Sequence, residues 1–201
     1  MQLENYYWCF PQAIPSRICD DIVEYGKKLK EETGVTWGYD KDNMTPNEQK
    51  RLEKQRSSNV VWMDPVWIYK ELHPLVKKAN QNAGWNFHWD WSETCQFTKY
   101  VGSKKQHYDW HTDSGKKLLL NGKIRKLSLT VALIDGDNYE GGNFEITEND
   151  PKKENEVTII KPARLKGSVT IFPSFVWHRV TPVTSGTRYS LVNWQQGNPF
   201  V

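Results

Sequence analysis

The chain has 201 residues, a net charge of +3 and 13% aromatic residues, which is typical of one well-packed globular domain and not of a disordered or nucleic-acid-binding protein. It has no apolar run near the roughly 20 residues of a membrane span, and its first residues resemble no signal peptide, so no membrane partner is expected. Because Cys9, Cys19 and Cys95 are far apart and form no CxxC pair, we expect no disulfides and a cytoplasmic location, or the host cytoplasm if the gene is viral.

The first part of the chain predicts helices with few strands. An aromatic strand near residues 5–10 precedes a helix over residues 15–32, where apolar residues recur at helical spacing. Residues 38–56 are polar and predict a mobile loop. This loop is a candidate lid over a substrate, and a simple surface loop is the alternative.

A strand over residues 57–64 then precedes a second helix over residues 65–84, which Pro74 should bend or interrupt. From residue 85 onward the chain consists of short β-rich runs separated by turn residues such as Gly141-Gly142, a pattern typical of an antiparallel sandwich or small barrel. The predicted strands are 94–101, 106–113, 125–134, 142–146, 157–161, 168–172, 176–183 and 187–194.

Four charged or basic side chains crowd the stretch 106-QHYDWHTDSG-115, namely His107, Asp109, His111 and Asp113. In a regular strand all four would point to one face, which is too many for one small metal site. His111 and Asp113 could bind one metal from a rigid strand, with His178 as a third ligand. Two histidines and one carboxylate leave three coordination positions open, an arrangement that suits Fe(II) with a bidentate co-substrate and O₂.

Arg188 follows His178 by ten residues, and Ser190 lies on the same face of that strand. A guanidinium binds a carboxylate through two hydrogen bonds, and the hydroxyl can add a third. Together with the metal ligands, this pair predicts a site for a dicarboxylate that bridges iron and arginine. 2-Oxoglutarate has that shape.

The order His-x-Asp, distant His and Arg-x-Ser resembles the Fe(II)/2-oxoglutarate-dependent oxygenases, in particular their prolyl 4-hydroxylase-like branch. Further matching stretches bring the resemblance to about residues 56–198. They are 94-TCQFTKYVGSKKQHYDWHTDS-114, 139-YEGGNFEI-146 and 171-IFPSFVWHRVTPVTSGTRYSLVNW-194.

The resemblance implies a mainly β fold with flanking helices (α+β) and a double-stranded β-helix, or jelly-roll, core. We expect one domain over residues 1–201, with helical support to about residue 85 and the core over about 86–198. It implies Fe(II), 2-oxoglutarate and O₂ as cofactors, with ascorbate as a candidate reductant. The implied reaction hydroxylates a C–H bond, with a prolyl residue of a protein or peptide as the favoured substrate, and releases succinate and CO₂.

The implied catalytic and metal-binding residues are His111, Asp113 and His178, and the implied 2-oxoglutarate-binding residues are Arg188, Ser190 and Tyr100.

Several alternatives stay open at this stage. Tyr100 could equally be a core aromatic residue, and Trp194 could line the cofactor pocket. His107 and Asp109 would lie at the rim or surface, contact the substrate or orient a ligand, and a β-bulge in their strand would change which side chains face inward. A second His-x-Asp pair, His88 and Asp90, has the same local spacing. The alternative functions are a cupin-like metal protein that is not an oxygenase (hydrolase, isomerase or sensor) and a silent binding module, neither of which needs Arg188-x-Ser190.

Overall fold

The protein is described by a computed structural model that covers residues 3–36, 43–115, 118–153 and 156–200. In these ranges the α-helices are α1 Ser16–Lys28, α2 Pro46–Gln55 and α3 Val66–Asn82. The strands are β1 Trp8–Phe10, β2 Glu32–Thr33, β3 Arg56–Ser57, β4 Asn59–Met63, β5 Trp91–Ser92, β6 Cys95–Val101, β7 His107–His111, β8 Ile124–Ala132, β9 Tyr139–Gly141, β10 Phe144–Thr147, β11 Thr158–Ile159, β12 Val169–Pro173, β13 Trp177–Val180 and β14 Val183–Gly197.

The strands form two antiparallel sheets. The major sheet has the order β1-β12-β8-β14-β6-β4-β2, with β5 and β9 pairing along the long strand β14. The minor sheet has the order β11-β10-β13-β7-β3. Its strands β7 and β13 carry His111 and His178 side by side, so the minor sheet positions two of the three predicted metal ligands.

Two apolar clusters hold the layers together. The larger lies between the major sheet and helices α1 and α3, whose residues Ile22, Ile68 and Leu72 are buried against it. The smaller lies between the two sheets and includes Phe144 and Phe172. Because side chains alternate along a strand, the major sheet contributes one face to each cluster.

The two predicted helices at 15–32 and 65–84 are confirmed as α1 and α3. Of the two expected effects of Pro74, a bend or an interruption, the interruption is not observed, since α3 is continuous from Val66 to Asn82. Buried residues before and after Pro74, among them Leu72 and Val76, anchor both halves of α3, and this packing outweighs one missing backbone hydrogen bond.

The prediction of a loop over residues 38–56 is wrong for residues 46–55, which form α2, while residues 38–42 lie outside the described part of the chain. Thr45 and Glu48 form a capping box at the start of α2, and Pro46 occupies the first turn. Leu52 is the buried residue of α2, so its apolar face is narrow. This explains why apolar periodicity did not reveal the helix.

No helix in the described ranges is both long and apolar enough to cross a membrane. The three cysteines are free thiols, as expected, and Cys19 and Cys95 are fully buried.

Candidate active site

The three predicted metal ligands come together at one point of the cavity between the sheets. His111 ends β7 and pairs directly with His178 of β13, while Asp113 lies two residues beyond the end of β7. The Nε2 atoms of His111 and His178 lie 3.8 and 3.4 Å from the Asp113 carboxylate oxygens. One ligand atom from each of the three residues lies within 4.8 Å of the others, a spacing that fits a single metal ion.

Backbone carbonyls fix the orientation of both imidazoles. Nδ1 of His111 lies 2.7 Å from the carbonyl oxygen of Asp109, and Nδ1 of His178 lies 2.9 Å from that of Val176. Because a carbonyl oxygen only accepts a hydrogen bond, Nδ1 carries the proton in both rings. Each Nε2 therefore presents its lone pair to the shared point, as a metal ligand requires.

The Asp113 carboxylate is oriented by two serines. Ser128 donates a hydrogen bond to Asp113 Oδ2 at 2.7 Å, and its hydroxyl lies 2.9 Å from that of Ser174. The Asp113 backbone N–H donates to the Ser174 carbonyl at 2.8 Å. These contacts hold Asp113 in place after β7 has ended, so the expectation that strand alternation would orient Asp113 is wrong.

The electrostatics of the cluster favour an ionised carboxylate beside a neutral His111 imidazole. Burial by itself raises the pKa of Asp113, but the neighbouring His178, His111 and Arg125 together outweigh burial and bring this pKa down to about 2. Burial, followed by the adjacent His178, lowers the pKa of His111 well below its usual value. An anionic carboxylate oxygen and a neutral imidazole nitrogen are the forms in which such groups bind a metal cation.

A β-bulge decides which side chains of β7 enter the cavity. Between β7 and β13, Val180 pairs with Tyr108 and His178 with His111, so three residue steps on β7 oppose two on β13. Tyr108 consequently faces inward and stacks on His111 with ring centroids 3.4 Å apart. The Asp109 side chain is exposed and the ring nitrogens of His107 contact backbone carbonyls, so both side chains lie at the surface. The Asp109 backbone carbonyl nevertheless orients the His111 ring, in agreement with one of the open alternatives.

Arg188 and Ser190 lie in the same cavity, as predicted. Arg188 is 3% exposed and donates through Nη1 to Ser190 Oγ at 3.1 Å. Its guanidinium carbon lies 5.4 Å from the ring centre of buried Tyr100, the residue paired with Arg188 across β6 and β14. Gly142, with a φ of +61°, leaves room for Arg188, because a Cβ there would lie 3.0 Å from Arg188 Cδ.

The cavity encloses about 580 Å³ and contains residues that sequence patterns did not reveal. Arg125 lines it, binds Glu93 through two hydrogen bonds of 2.6 Å and lies 3.9 Å from the Trp194 ring centre. Arg56 also lines it and lies 4.5 Å from the Tyr108 ring centre. These contacts join residues far apart in the chain, so no local spacing could indicate them.

The second His-x-Asp pair takes no part in this cavity. His88 and Asp90 are exposed, and Asp90 forms an ion pair with Lys123 at 2.6 Å. Trp194 lines the cavity, in agreement with its proposed location.

The donor set fits Fe(II) and 2-oxoglutarate. Two imidazole nitrogens and one carboxylate grouped on one side of a point leave coordination positions open, which is the ligand pattern of non-haem Fe(II) oxygenases. Arg188 has no carboxylate partner in the described ranges, so a buried cation awaits an anion in the same cavity. A dicarboxylate that chelates the metal at one end satisfies both requirements.

Comparisons with known proteins agree with this geometry. A family model described as the 2OG-Fe(II) oxygenase superfamily matches residues 95–196. A PKHD-type hydroxylase of Synechococcus sp. strain CC9605 is 40% identical over 93 residues, which are 46% of this chain and 37% of that protein. One of strain CC9311 is 34% identical over 134 residues, 63% of this chain and 54% of that protein. The chain thus spans about two-fifths to half of the length of these relatives.

Solved structures share the fold over nearly the whole chain. The viral collagen prolyl hydroxylase of Paramecium Bursaria Chlorella virus-1, crystallised with 2OG, is 18% identical, covers 96% of this chain and 97% of its own, and has a TM-score of 0.66. A Trichoplax adhaerens prolyl hydroxylase in complex with a hypoxia inducible factor peptide is 18% identical, covers 96% and 84%, and has a TM-score of 0.69. The predicted mainly β, jelly-roll fold is confirmed.

Proposed function

Because the chain belongs to the 2OG-Fe(II) oxygenase superfamily, whose cofactors are Fe(II), 2-oxoglutarate and O₂, we propose that it hydroxylates a prolyl residue in a protein or peptide. Succinate and CO₂ are the co-products. The observation that carries this proposal is the presence, in one cavity, of the His111–Asp113–His178 cluster and of Arg188, which has no carboxylate partner among the described residues.

Each residue has a distinct role in this proposal. His111, Asp113 and His178 hold Fe(II), and Ser128 keeps the Asp113 carboxylate turned toward it. Bound iron with 2-oxoglutarate supplies the oxidising power for attack on an unactivated C–H bond, with ascorbate as a reductant that keeps the iron ferrous.

The second carboxylate of 2-oxoglutarate has its own binding group in the cavity. Arg188 and Ser190 bind it, and Tyr100 packs beside the guanidinium. Burial of Arg188 excludes water from this contact, which strengthens the pairing of guanidinium and carboxylate.

The cavity mouth supports a substrate with an apolar ring. Trp62 lines the cavity and is 46% exposed, and its ring centroid lies 6.3 Å from that of the buried Trp194. The exposed Trp62 indole offers an apolar surface against which a prolyl ring in an extended segment can pack. The peptide bound by the Trichoplax relative and the collagen named for the viral one support a protein or peptide substrate.

The proposal is tested with purified protein, Fe(II), ascorbate, O₂ and 2-oxoglutarate. We expect succinate formation, and in a proline-rich peptide pool we expect a mass gain of one oxygen that fragmentation places on proline. His178→Ala should abolish both signals, whereas the matched control His88→Ala, in the exposed second His-x-Asp pair, should retain them.

Two results would count against it. Succinate formation with oxygen incorporated on a residue other than proline would contradict the proposed prolyl substrate but would still agree with oxygenase activity. Metal binding without any Fe(II)-dependent binding of 2-oxoglutarate would instead favour a metal protein of another class.

A further inference from the structure

A second buried guanidinium in the active cavity remains unexplained by the cofactors. Of the three arginines that line the cavity, Arg125 is paired with Glu93, and Arg188 is assigned to 2-oxoglutarate. Arg56 is 6% exposed, and no carboxylate pairs with it in the part of the chain that the structure describes. Burying a cation without a counter-charge is costly, so this position favours the binding of an anion.

The hydrogen bonds of Arg56 show which of its atoms await a partner. Nε donates to Ser58 Oγ at 2.8 Å, and Nη1 donates to the Val35 carbonyl at 3.1 Å. Nη2 is buried and, within the described ranges, has no hydrogen-bond partner. Thr36 Oγ1 is also buried without one, and Thr36 lines the cavity together with Arg56.

The packing of Arg56 holds it close to the metal cluster. Its guanidinium carbon lies 4.5 Å from the Tyr108 ring centre, and Tyr108 in turn stacks on His111 at 3.4 Å. One aromatic ring therefore separates this cation from a predicted iron ligand. An anion paired with Arg56 would therefore lie within a short distance of the reacting centre.

We propose that Arg56, with Thr36, binds a carboxylate of the substrate, namely the side chain of an aspartate or glutamate close to the hydroxylated residue. The inference rests on the proposed function, because it deepens the substrate class of the same cavity. 2-Oxoglutarate has two carboxylates, and the metal and Arg188 account for both. The donors at Arg56 are thus free for a third carboxylate, shielded from water, where charge-assisted hydrogen bonds are strong.

The test measures peptide retention, which requires no turnover. The full chain, loaded with Mn(II) and 2-oxoglutarate under nitrogen, is immobilised and exposed to random heptapeptides with capped ends. Each peptide is present in a Glu and a Gln version at one position, and mass spectrometry gives their ratio after washing. We expect wild-type protein to enrich the Glu versions about ten-fold or more, since a charged hydrogen bond contributes that much to affinity.

Two variants assign the enrichment to a residue. Arg56→Gln should reduce it to near unity. Arg51→Gln is the matched control, because Arg51 carries the same charge on the neighbouring helix α2 but is exposed, and this variant should enrich like wild type. Equal retention of Glu and Gln versions by wild-type protein, including retention of neither, would overturn the proposal, as would enrichment that persists in Arg56→Gln.

A second pool with free C-terminal carboxylates distinguishes the source of the anion. Enrichment confined to the free-carboxylate peptides, and lost in Arg56→Gln, would keep the carboxylate site but overturn the assignment to a side chain. Failure of the proposed function is recognised separately. Glu enrichment without succinate formation would refute the oxygenase activity and leave the anion site supported. Succinate formation without Glu enrichment would refute the anion site and leave the oxygenase activity supported.

Discussion

The two faces of the major sheet differ in what they contribute. On β14, Leu191 points toward helices α1 and α3 and is fully buried in the larger apolar cluster. Its neighbours Arg188 and Ser190 point into the cavity, where they donate and accept hydrogen bonds. Strand β8 repeats the contrast, with Leu127 buried in the larger apolar cluster and Ser128 hydrogen-bonded to Asp113.

The two faces of the major sheet therefore serve different purposes, one stabilising the fold and the other binding ligands. Burial of apolar surface on the helix-facing side stabilises the fold, whereas the cavity-facing side holds polar side chains such as Arg188, which has no carboxylate partner among the described residues. We therefore expect substitutions on the helix-facing side to act on unfolding and those on the cavity side to act on ligand affinity.

The largest effect on stability is expected for Leu191→Ala. Leu191 is 0% exposed, so the substitution removes buried methyl groups and leaves a cavity, which should lower the free energy of unfolding by about 2–5 kcal/mol. Urea unfolding followed by tryptophan fluorescence measures this change. A decrease in unfolding free energy below about 1 kcal/mol would contradict the assignment of the helix-facing side to stability.

Arg188→Gln should show the opposite pattern on the neighbouring face. Loss of the guanidinium should weaken 2-oxoglutarate binding about 10- to 100-fold, because a charge-assisted contact is removed. The unfolding free energy of the cofactor-free protein should fall by less than in Leu191→Ala. A 2-oxoglutarate titration and urea unfolding check the two statements, and unchanged 2-oxoglutarate affinity would contradict the assignment of Arg188.

Ser128→Ala, on the cavity-facing side of β8, should weaken metal binding. Its hydroxyl orients the Asp113 carboxylate, and removal of such a supporting hydrogen bond typically weakens metal affinity or activity about 10- to 100-fold. Fe(II) titration of the variant gives the affinity. Thr130→Ser, a milder change on the same face of β8, serves as control and should retain the wild-type affinity.

The smallest expected effects concern the thiols. Burial raises the pKa of Cys19 to about 11 and that of Cys95 to about 12, so both remain protonated near neutral pH. Cys9 is only partly buried, although burial raises its pKa as well. Alkylation of the folded protein should modify Cys9 first, and mass spectrometry of tryptic peptides checks the order. Equal labelling of Cys95 would show that the helix-facing core opens readily.

Much of the fold could be predicted because local patterns decide it. The apolar spacing of α1 and α3 matches their buried faces, and alternation on β6, β8 and β14 separates the two faces of the major sheet. Helix α2 was not predicted, because it has a single buried residue, Leu52, and therefore no apolar residues that recur at helical spacing. Its capping box at Thr45 and Glu48 was the readable signal.

The candidate site could be predicted in part. His111, Asp113, His178 and Arg188 were identified from their order in the chain, and the structure brings them together. Strand alternation failed at Tyr108, because the bulge in β7 depends on pairing with β13, which the sequence of β7 alone does not encode.

No sequence pattern could predict the contacts of Arg56 or the Glu93–Arg125 pair. Glu93 precedes Arg125 by 32 residues, and Arg56 meets Tyr108 only because β3 pairs with β7. Tertiary contacts of this kind follow from the complete fold.

The most direct test of the central claim is anaerobic titration of the purified protein with Fe(II) and 2-oxoglutarate, followed by the charge-transfer absorption of the ternary complex. We predict that the band appears at one iron per chain in wild type and in His88→Ala. It should be absent in His178→Ala, and in Arg188→Gln it should require a higher 2-oxoglutarate concentration. An unchanged band in His178→Ala, or no band in wild type at saturating 2-oxoglutarate, would contradict the account.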